Sequence, residues 1–199
     1  MVDPSRQIEI QEVGVDKLPL YSGVSVAYEV KSLLELNLID SGLGGIRLSE
    51  KEVTPSYTKD NDAYEGSSLR EWPDLFDTHN LVSLLALEGT RSVGGATVAF
   101  DTPSISMLDG RVNLVVLWDI RVHPDYRGQG IGTKLFLHAT NWSRNQGCSQ
   151  LKIETQNMNI PARRFYTRMG CHLGEVNRSQ YAGQPEVFHK ILLVWYLGL

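Results

Sequence analysis

The residues Arg127-Gly128-Gln129-Gly130-Ile131-Gly132 place a cation and three glycines between an apolar run, Val112 to Val122, and a helically spaced segment, Ile131 to Asn145. The chemistry this suits is anion binding. A helix start leaves backbone N–H groups unpaired, and the helix dipole favours negative charge there. Glycines let the backbone approach a ligand with no Cβ in the way. The expected ligand is a phosphorylated cofactor. As a dinucleotide fingerprint the stretch lacks a third glycine, since Leu135 stands in that place, and as a nucleotide-triphosphate loop it lacks Gly-Lys-Ser/Thr.

These residues must be held by regular elements, and the chain supplies candidates. Ile8 to Val13 alternates apolar with polar and predicts a strand. Val24 to Ile39 carries Val26, Val30, Leu33 and Leu34 at helical spacing and ends in "SGLGG", predicting a helix with a glycine stop. From 47 to 80 the composition turns polar, with Pro55 and Pro73, and predicts a long inserted loop holding at most one short helix. Leu81 to Leu87 and Val93 to Phe100 read as a hairpin, Val112 to Val122 as a strand, and Ile131 to Asn145 as the crossover helix. "CSQLKIET" is a strand and Pro161 to Met169 a short helix, while Cys171 to Val176 and Val187 to Leu197 are closing strands. The order is a mixed α+β one, in a single domain over 1–199.

Composition sets bounds. In 199 residues, 42% hydrophobic and 21% charged describe an ordinary globular chain, and a net charge of −4 argues against non-specific nucleic-acid binding. The two cysteines, Cys148 and Cys171, lack metal-site spacing, and no secretory or membrane-spanning segment is expected, so the expectation is a cytoplasmic protein with reduced thiols and no metal. His123 reads as a loop residue before Pro124 and not as a catalytic base, His138 and His172 offer no paired ligand geometry, and Trp118, Trp142 and Trp195 read as core.

The pattern Arg127, Gly130, Gly132 is Arg-x-x-Gly-x-Gly, and downstream "NIPARRFYTRMGC" gives Asn-x-x-Ala-x-x-x-Tyr with a following glycine: Asn159, Ala162, Tyr166, Gly170. In this order and spacing the two motifs resemble the signatures of the GNAT superfamily of N-acetyltransferases, and "LWDIRVHPDYRGQGIG" resembles its strand-to-helix segment. The resemblance covers Leu81 to Leu199 and implies the GNAT fold: a central, mostly antiparallel sheet, flanked by helices, with a splayed strand pair at the cofactor site. It implies acetyl-CoA as cosubstrate and direct transfer of its acetyl group to an amine. Backbone groups of Ile120 and Val122 are then expected to pair with pantetheine, and the amides of Arg127, Gly128, Gln129, Gly130, Ile131 and Gly132 to hold the pyrophosphate, with the Arg127 side chain adding charge. Asn159 is expected on the pantetheine arm and Tyr166 at the thioester sulfur.

That chemistry asks for particular groups. A backbone N–H on the splayed strand can stabilise the developing oxyanion, and a phenol of pKa near 10 can donate to the departing sulfur. An acceptor amine arrives protonated, so a base or water chain is needed, with Glu154 and Asp119 as the candidates. The plain alternatives are a solvated or salt-bridged strand carboxylate for these two, and a core aromatic beside Phe165 for Tyr166.

"LKIETQNMNIPARRFY", Tyr181, Glu186 and the terminal "VWYLGL" further resemble the streptothricin acetyltransferase branch, which modifies an amine of a cationic antibiotic. The stretch "EGSSLREWPDLFDTHN" and the hairpin "GGATVAFDTP" depart from it, so the acceptor does not carry over with the fold. Glu71, Asp74, Asp77 and Glu186 are candidates for binding a cationic amine, or form a solvated acidic surface. The function expected is acetyl transfer to a primary amine of a small cationic molecule. The alternatives are acetylation of a protein N-terminus or lysine, and a non-catalytic CoA-binding regulator. A homodimer is compatible with the terminal strands.

Overall fold

A computed structural model of the chain describes residues 7–63, 69–183 and 190–199. These fall into two compact units: residues up to Val26 with Asp60–Ile153 and Leu197–Leu199, and Ala27–Lys59 with Glu154–Tyr196. The division falls inside a strand, after Ile153.

In the first unit, β1 (Ile8–Val13) pairs antiparallel with β4 (Leu81–Glu88), β4 with β5 (Arg91–Phe100), and β5 with β6 (Leu114–Val122). Strand β7 (Gln150–Gln156) lies parallel to β6. The middle strands are buried along almost their whole length, as a sheet covered on both faces requires. Helix α3 (Ile131–Asn145) covers one face, burying Ile131, Leu135, Phe136 and Ala139 at helical spacing. The short α1 (Pro19–Ser22) and α2 (Trp72–Leu75) lie on the other, in a cluster of Leu18, Tyr21, Val24, Leu69, Trp72 and Leu85. The two faces separate at Gly94 and Gly95. A Cβ on Gly94 would stand 3.6 Å from Leu135, and one on Gly95 would meet the Tyr21 ring at 2.6 Å.

The second unit holds β2 (Tyr28–Ile39) and β3 (Gly45–Lys59) in a long antiparallel hairpin, then α4 (Ile160–Arg168), β8 (His172–Asn177) and β9 (Leu192–Gly198), with β8 and β9 antiparallel. Two sequence expectations are corrected here. Residues 28–39 are a strand and not a helix: Tyr28, Val30, Leu34, Leu36 and Leu38 recur at even spacing, and that period of two outweighs the helical one read from Val26, Val30, Leu33 and Leu34. The glycines of "SGLGG" belong to the hairpin turn, where Asp40 and Ser41 also take positive φ. The inserted loop at 47–80 is likewise a strand in its first part, since β3 runs over Gly45–Lys59, while the one short helix expected there is α2, Trp72–Leu75. Pro55 sits where the ladder jumps from Val30↔Tyr57 to Ser32↔Glu52, the place at which a missing N–H is tolerated.

Buried Asn157 ties this unit together. Its side chain donates to Leu34 O (3.0 Å) and accepts from Ile191 N–H (3.2 Å), while its backbone accepts from Leu34 N–H and donates to Ile191 O. No described helix is long and apolar enough to cross a membrane.

Candidate functional site

Strand β6 is built in two parts. Leu114, Val116 and Ala99 pack in a buried cluster, and only Leu114–Val116 pair with β7. The ladder to β5 then slips, with Thr97 opposite Asp119 and Val98 opposite Leu117, so that Trp118 is an extra residue, a β-bulge. Beyond it the strand keeps β5 on one edge. The His123 N–H donates to Val93 O at 2.8 Å, and strand alternation turns the N–H and C=O of Arg121 the same way and those of Ile120 and Val122 to the opposite edge. That edge has no strand partner among the described residues. This is the splay the resemblance implied.

The strand runs straight into the glycine loop. Tyr126 roots it, buried, its hydroxyl donating to Glu88 Oε2 at 2.5 Å. Gly128 (φ 77°) and Gly130 (φ 83°) both take the left-handed region, and Gly130 caps α3 with no side chain competing for its first-turn amides. Among the described residues, the amides of Gly128, Gln129 and Gly130 donate to no protein acceptor. A cradle of free amides ahead of a 15-residue helix fits a pyrophosphate. The Arg127 side chain has a second task here: it donates to Val122 O (3.0 Å) and to Ser25 O (3.1 Å).

The opposite side of β6 carries charge. Arg121 is 3% exposed and each of its five N–H groups has an acceptor. Two go to Asp119 (2.8 and 2.9 Å), two to Asp62 (2.7 and 3.2 Å), and one to Val24 O (3.2 Å). Its guanidinium lies 5.8 Å from the Tyr21 ring centroid. The Tyr21 hydroxyl bonds Thr97, which bonds Ser83 at 3.1 Å. Burial, reinforced by the Asp119 charge, pushes the Tyr21 phenol far up, so it stays neutral. Burial also pushes the Asp119 carboxyl up, with Arg121 pulling against it. Beside this network lies a cavity of about 280 Å³ walled by Trp72, Phe76, Trp118, Asp62, Asp119 and Arg121. Trp72 and Trp118 stack at 4.2 Å, and Phe76 meets Trp118 edge-on at 4.7 Å. Trp118, expected as core, therefore also lines a cavity. The bulge makes this so, by letting Trp118 face the same side as Asp119.

In the second unit, Glu154 is half-buried on β7 and adds to the upward push on the Tyr181 hydroxyl, whose main cause is burial. Asn159 caps α4, its Oδ1 accepting from Ala162 N–H at 3.2 Å, and Tyr166 is 6% exposed with its ring 5.5 Å from that of Phe165. Glu50, on β3, accepts from Arg164 (3.0 and 3.2 Å) and Arg163 (3.3 Å) and so tethers the same helix. A larger groove of about 600 Å³ follows the β2–β3 irregularity but has no aromatic wall.

The predicted residues thus gather in two groups: Asp119, Ile120, Val122 and Arg127–Gly132 at the β6–α3 junction, and Glu154, Asn159 and Tyr166 at the β7–α4 junction. Of the acidic candidates, Glu71, Asp74 and Asp77 are exposed and line neither cavity, and Glu186 lies outside the described residues. Sequence reasoning missed Asp62, Trp72 and Arg121. Only Asp62, in "KDND", carried a signal, and it was indistinguishable from a polar loop. Among the described residues no group of three His, Cys, Asp or Glu side chains is placed to hold a metal.

Known proteins with similar chains and folds identify the family. A streptothricin acetyltransferase of Escherichia coli is 25% identical over 170 residues, covering 84% of this chain and 83% of that one. N-alpha-acetyltransferase 30 of Schizosaccharomyces pombe is 27% identical over 147 residues, covering 73% of this chain and 87% of that one. The fold matches the crystal structure of a candidate streptothricin acetyltransferase of Bacillus anthracis in complex with acetyl coenzyme A, with a TM-score of 0.75 at 22% identity over 97% of this chain and 100% of that one. The model of the acetyltransferase (GNAT) family matches residues 48–171, more than half of the chain. The protein belongs to the GNAT family and is an acetyl-CoA-dependent acetyltransferase.

Proposed function

We propose that the protein transfers the acetyl group of acetyl-CoA directly to a primary amine of a small, cationic molecule. One observation supports this above the others: on β6, a backbone edge at Ile120 and Val122 with no strand partner among the described residues alternates with an acid-bearing face at Asp119 and Arg121. A thioester laid along the edge and an amine held on the face would meet within one or two residues, about 3.3 Å of strand each. Bringing reactants together in this way supplies much of the rate.

Acetyl-CoA, when bound, supplies the activated acetyl group. The amides of Gly128 to Gly132 would hold its pyrophosphate, and Arg127, tied to Val122 O, would fix the strand exit that the pantetheine follows. Asn159 would serve the pantetheine arm with the amide nitrogen left over from its capping bond. Tyr166, through its phenolic O–H, would donate to the leaving sulfur. Asp119 is ion-paired with Arg121, which suits it to fixing charge better than to taking a proton; Glu154 remains the other candidate base.

The test is thiol release from acetyl-CoA over polyamines, amino acids, cationic antibiotics and peptides. Release with small cationic amines supports the reading, and no release with any amine ends it. Tyr166→Phe is expected to lower kcat about 100-fold with acetyl-CoA affinity within about twofold. A variant at full speed removes Tyr166 from the acid role.

The similarity to N-alpha-acetyltransferase 30 favours a second reading, acetylation of a peptide N-terminus. Peptides outpacing small amines in the same panel would establish it.

A further inference from the structure

The cavity beside β6 has the chemistry of one kind of guest. Its walls are the indoles of Trp72 and Trp118 and the ring of Phe76, and its floor is the Asp62–Arg121–Asp119 network. Two carboxylates against one guanidinium leave one unit of net negative charge. Arg121 has no donor left over, so an anionic guest would find no free guanidinium N–H and two carboxylates to repel it. A cation gains from both surfaces, because aromatic faces attract ammonium groups and exposed carboxylate oxygens accept their N–H bonds. Trp72 and Trp118 already stack on each other, so no flat ring fits between them. At about 280 Å³ the cavity also falls below the roughly 300–1,000 Å³ of sites that enclose a whole ligand. It suits one slender arm.

We propose that this cavity is the acceptor subsite and that it takes a single aminoalkyl arm, with methylenes on Trp72, Phe76 and Trp118 and nitrogen near Asp62 and Asp119, while the rest of the acceptor stays outside. The proposal rests on the acetyl-transfer reading above. The ammonium loses one proton to solvent, and the neutral nitrogen forms a C–N bond to the thioester carbonyl carbon. The C–S bond breaks with its electron pair going to sulfur, and the second nitrogen proton ends on the thiolate. Ammonium and acetyl-CoA thus give amide, free thiol and one proton. Asp62 sets how tightly the arm is held. Trp118 is placed by the bulge next to Ile120, whose backbone faces the free edge.

Binding and turnover are measured separately. In Trp142→Phe/Trp195→Phe protein, Trp72 and Trp118 are the remaining indoles. Titration with 1,5-diaminopentane is expected to change their emission saturably, and 1-pentanol, which has the chain without the charge, is not. Asp62→Asn is expected to weaken the amine at least tenfold. Trp118→Leu, assayed in the parent chain, is expected to raise the KM of the best amine at least tenfold with kcat within threefold. Acetyl-CoA affinity within twofold in each variant shows that it is folded. Equal responses to amine and pentanol overturn the proposal, as do unchanged amine KM values in both variants. Saturable, Asp62-dependent binding with no thiol release from any amine keeps the subsite and ends the transfer reading. Turnover with no Asp62 dependence ends the subsite and keeps the transfer reading, and silence in both assays ends both.

Discussion

The glycine loop and the aromatic cavity adjoin the same strand but are made of different material. The loop Arg127–Gly132 presents backbone amides, and its side chains are exposed apart from Ile131. The cavity is made of side chains drawn from 26, 61–62, 72–76 and 118–121, and its key residue, Arg121, is almost fully buried. A backbone site depends on local φ and ψ, which six contiguous residues can specify. A side-chain site depends on tertiary packing. The first should fail in affinity while the fold survives, and the second should fail in stability along with function.

The largest expected effect breaks the cavity. Arg121→Leu leaves Asp119 and Asp62 without their shared partner, and chemical denaturation should show a loss of about 3–5 kcal/mol. A loss below about 1 kcal/mol would mean that the network is not structural. The loop's counterpart is Gly130→Val. A β-branched residue is strained at φ 83°, although its Cβ would meet nothing within 4 Å. Acetyl-CoA affinity should fall about 100-fold, roughly 2.7 kcal/mol, with the thermal midpoint lowered by only a few degrees and the amine KM unchanged. Equal damage to midpoint and affinity would erase the contrast between the two sites.

Gly95→Ala should cost about 1–3 kcal/mol, because the added carbon overlaps the Tyr21 ring and must displace it from beneath Arg121. Its kinetic signature is a raised amine KM with acetyl-CoA affinity intact. The smallest effect serves as a control in the other unit. Burial and the neighbouring Lys190 lower the Lys59 ammonium from 10.5 to about 8. The unfolded chain binds this proton more tightly, so the folded state is penalised below pH 8 and relieved as pH rises from 8 to 10.5. Lys59→Met should therefore be more stable than the parent at pH 7, and the gap should close by pH 10.5. A gap independent of pH would rule out this account, and a change in amine KM would link the second unit to a cavity formed wholly by the first.

The same contrast explains what the sequence disclosed. The loop, α3, the β4–β5 hairpin and the capping Asn159 are local, with spacing, glycine and amide in one short window each. Their boundaries were readable to within a few residues, and α3 was read as Ile131–Asn145. Strand β2 was misread because two periods coexist in it, and only pairing with β3 selects one. The even-spaced Leu34, Leu36 and Leu38 were the available clue. Asp62, Trp72 and Arg121 are far apart in the chain and become a site only when Arg121 turns toward α1, and nothing in a residue's type announces that turn. Asn157 lay two residues before the recognised Asn159, and its role as a knot is defined by partners at 34 and 191.

The extra residue at Trp118 bears on what this segment can tolerate. A strand deals its side chains alternately to two faces, and here the count slips once, between Leu117 and Asp119. Leu114, Val116 and Trp118 before the slip, and Asp119 and Arg121 after it, consequently share the face of Tyr21, while Ile120 and Val122 turn toward α3. Removing Trp118 would give a regular ladder that leaves Asp119 and Arg121 on the Tyr21 face and takes away only the indole, whereas straightening the strand at its present length would send both charged groups against the apolar helix. Substitutions along this stretch alter one contact at a time, whereas loss of the slip at the same length exchanges the acid face for the greasy one in a single step. The slip at Trp118 is thus a tighter constraint on the charged face than the identity of most residues from Leu114 to Val122.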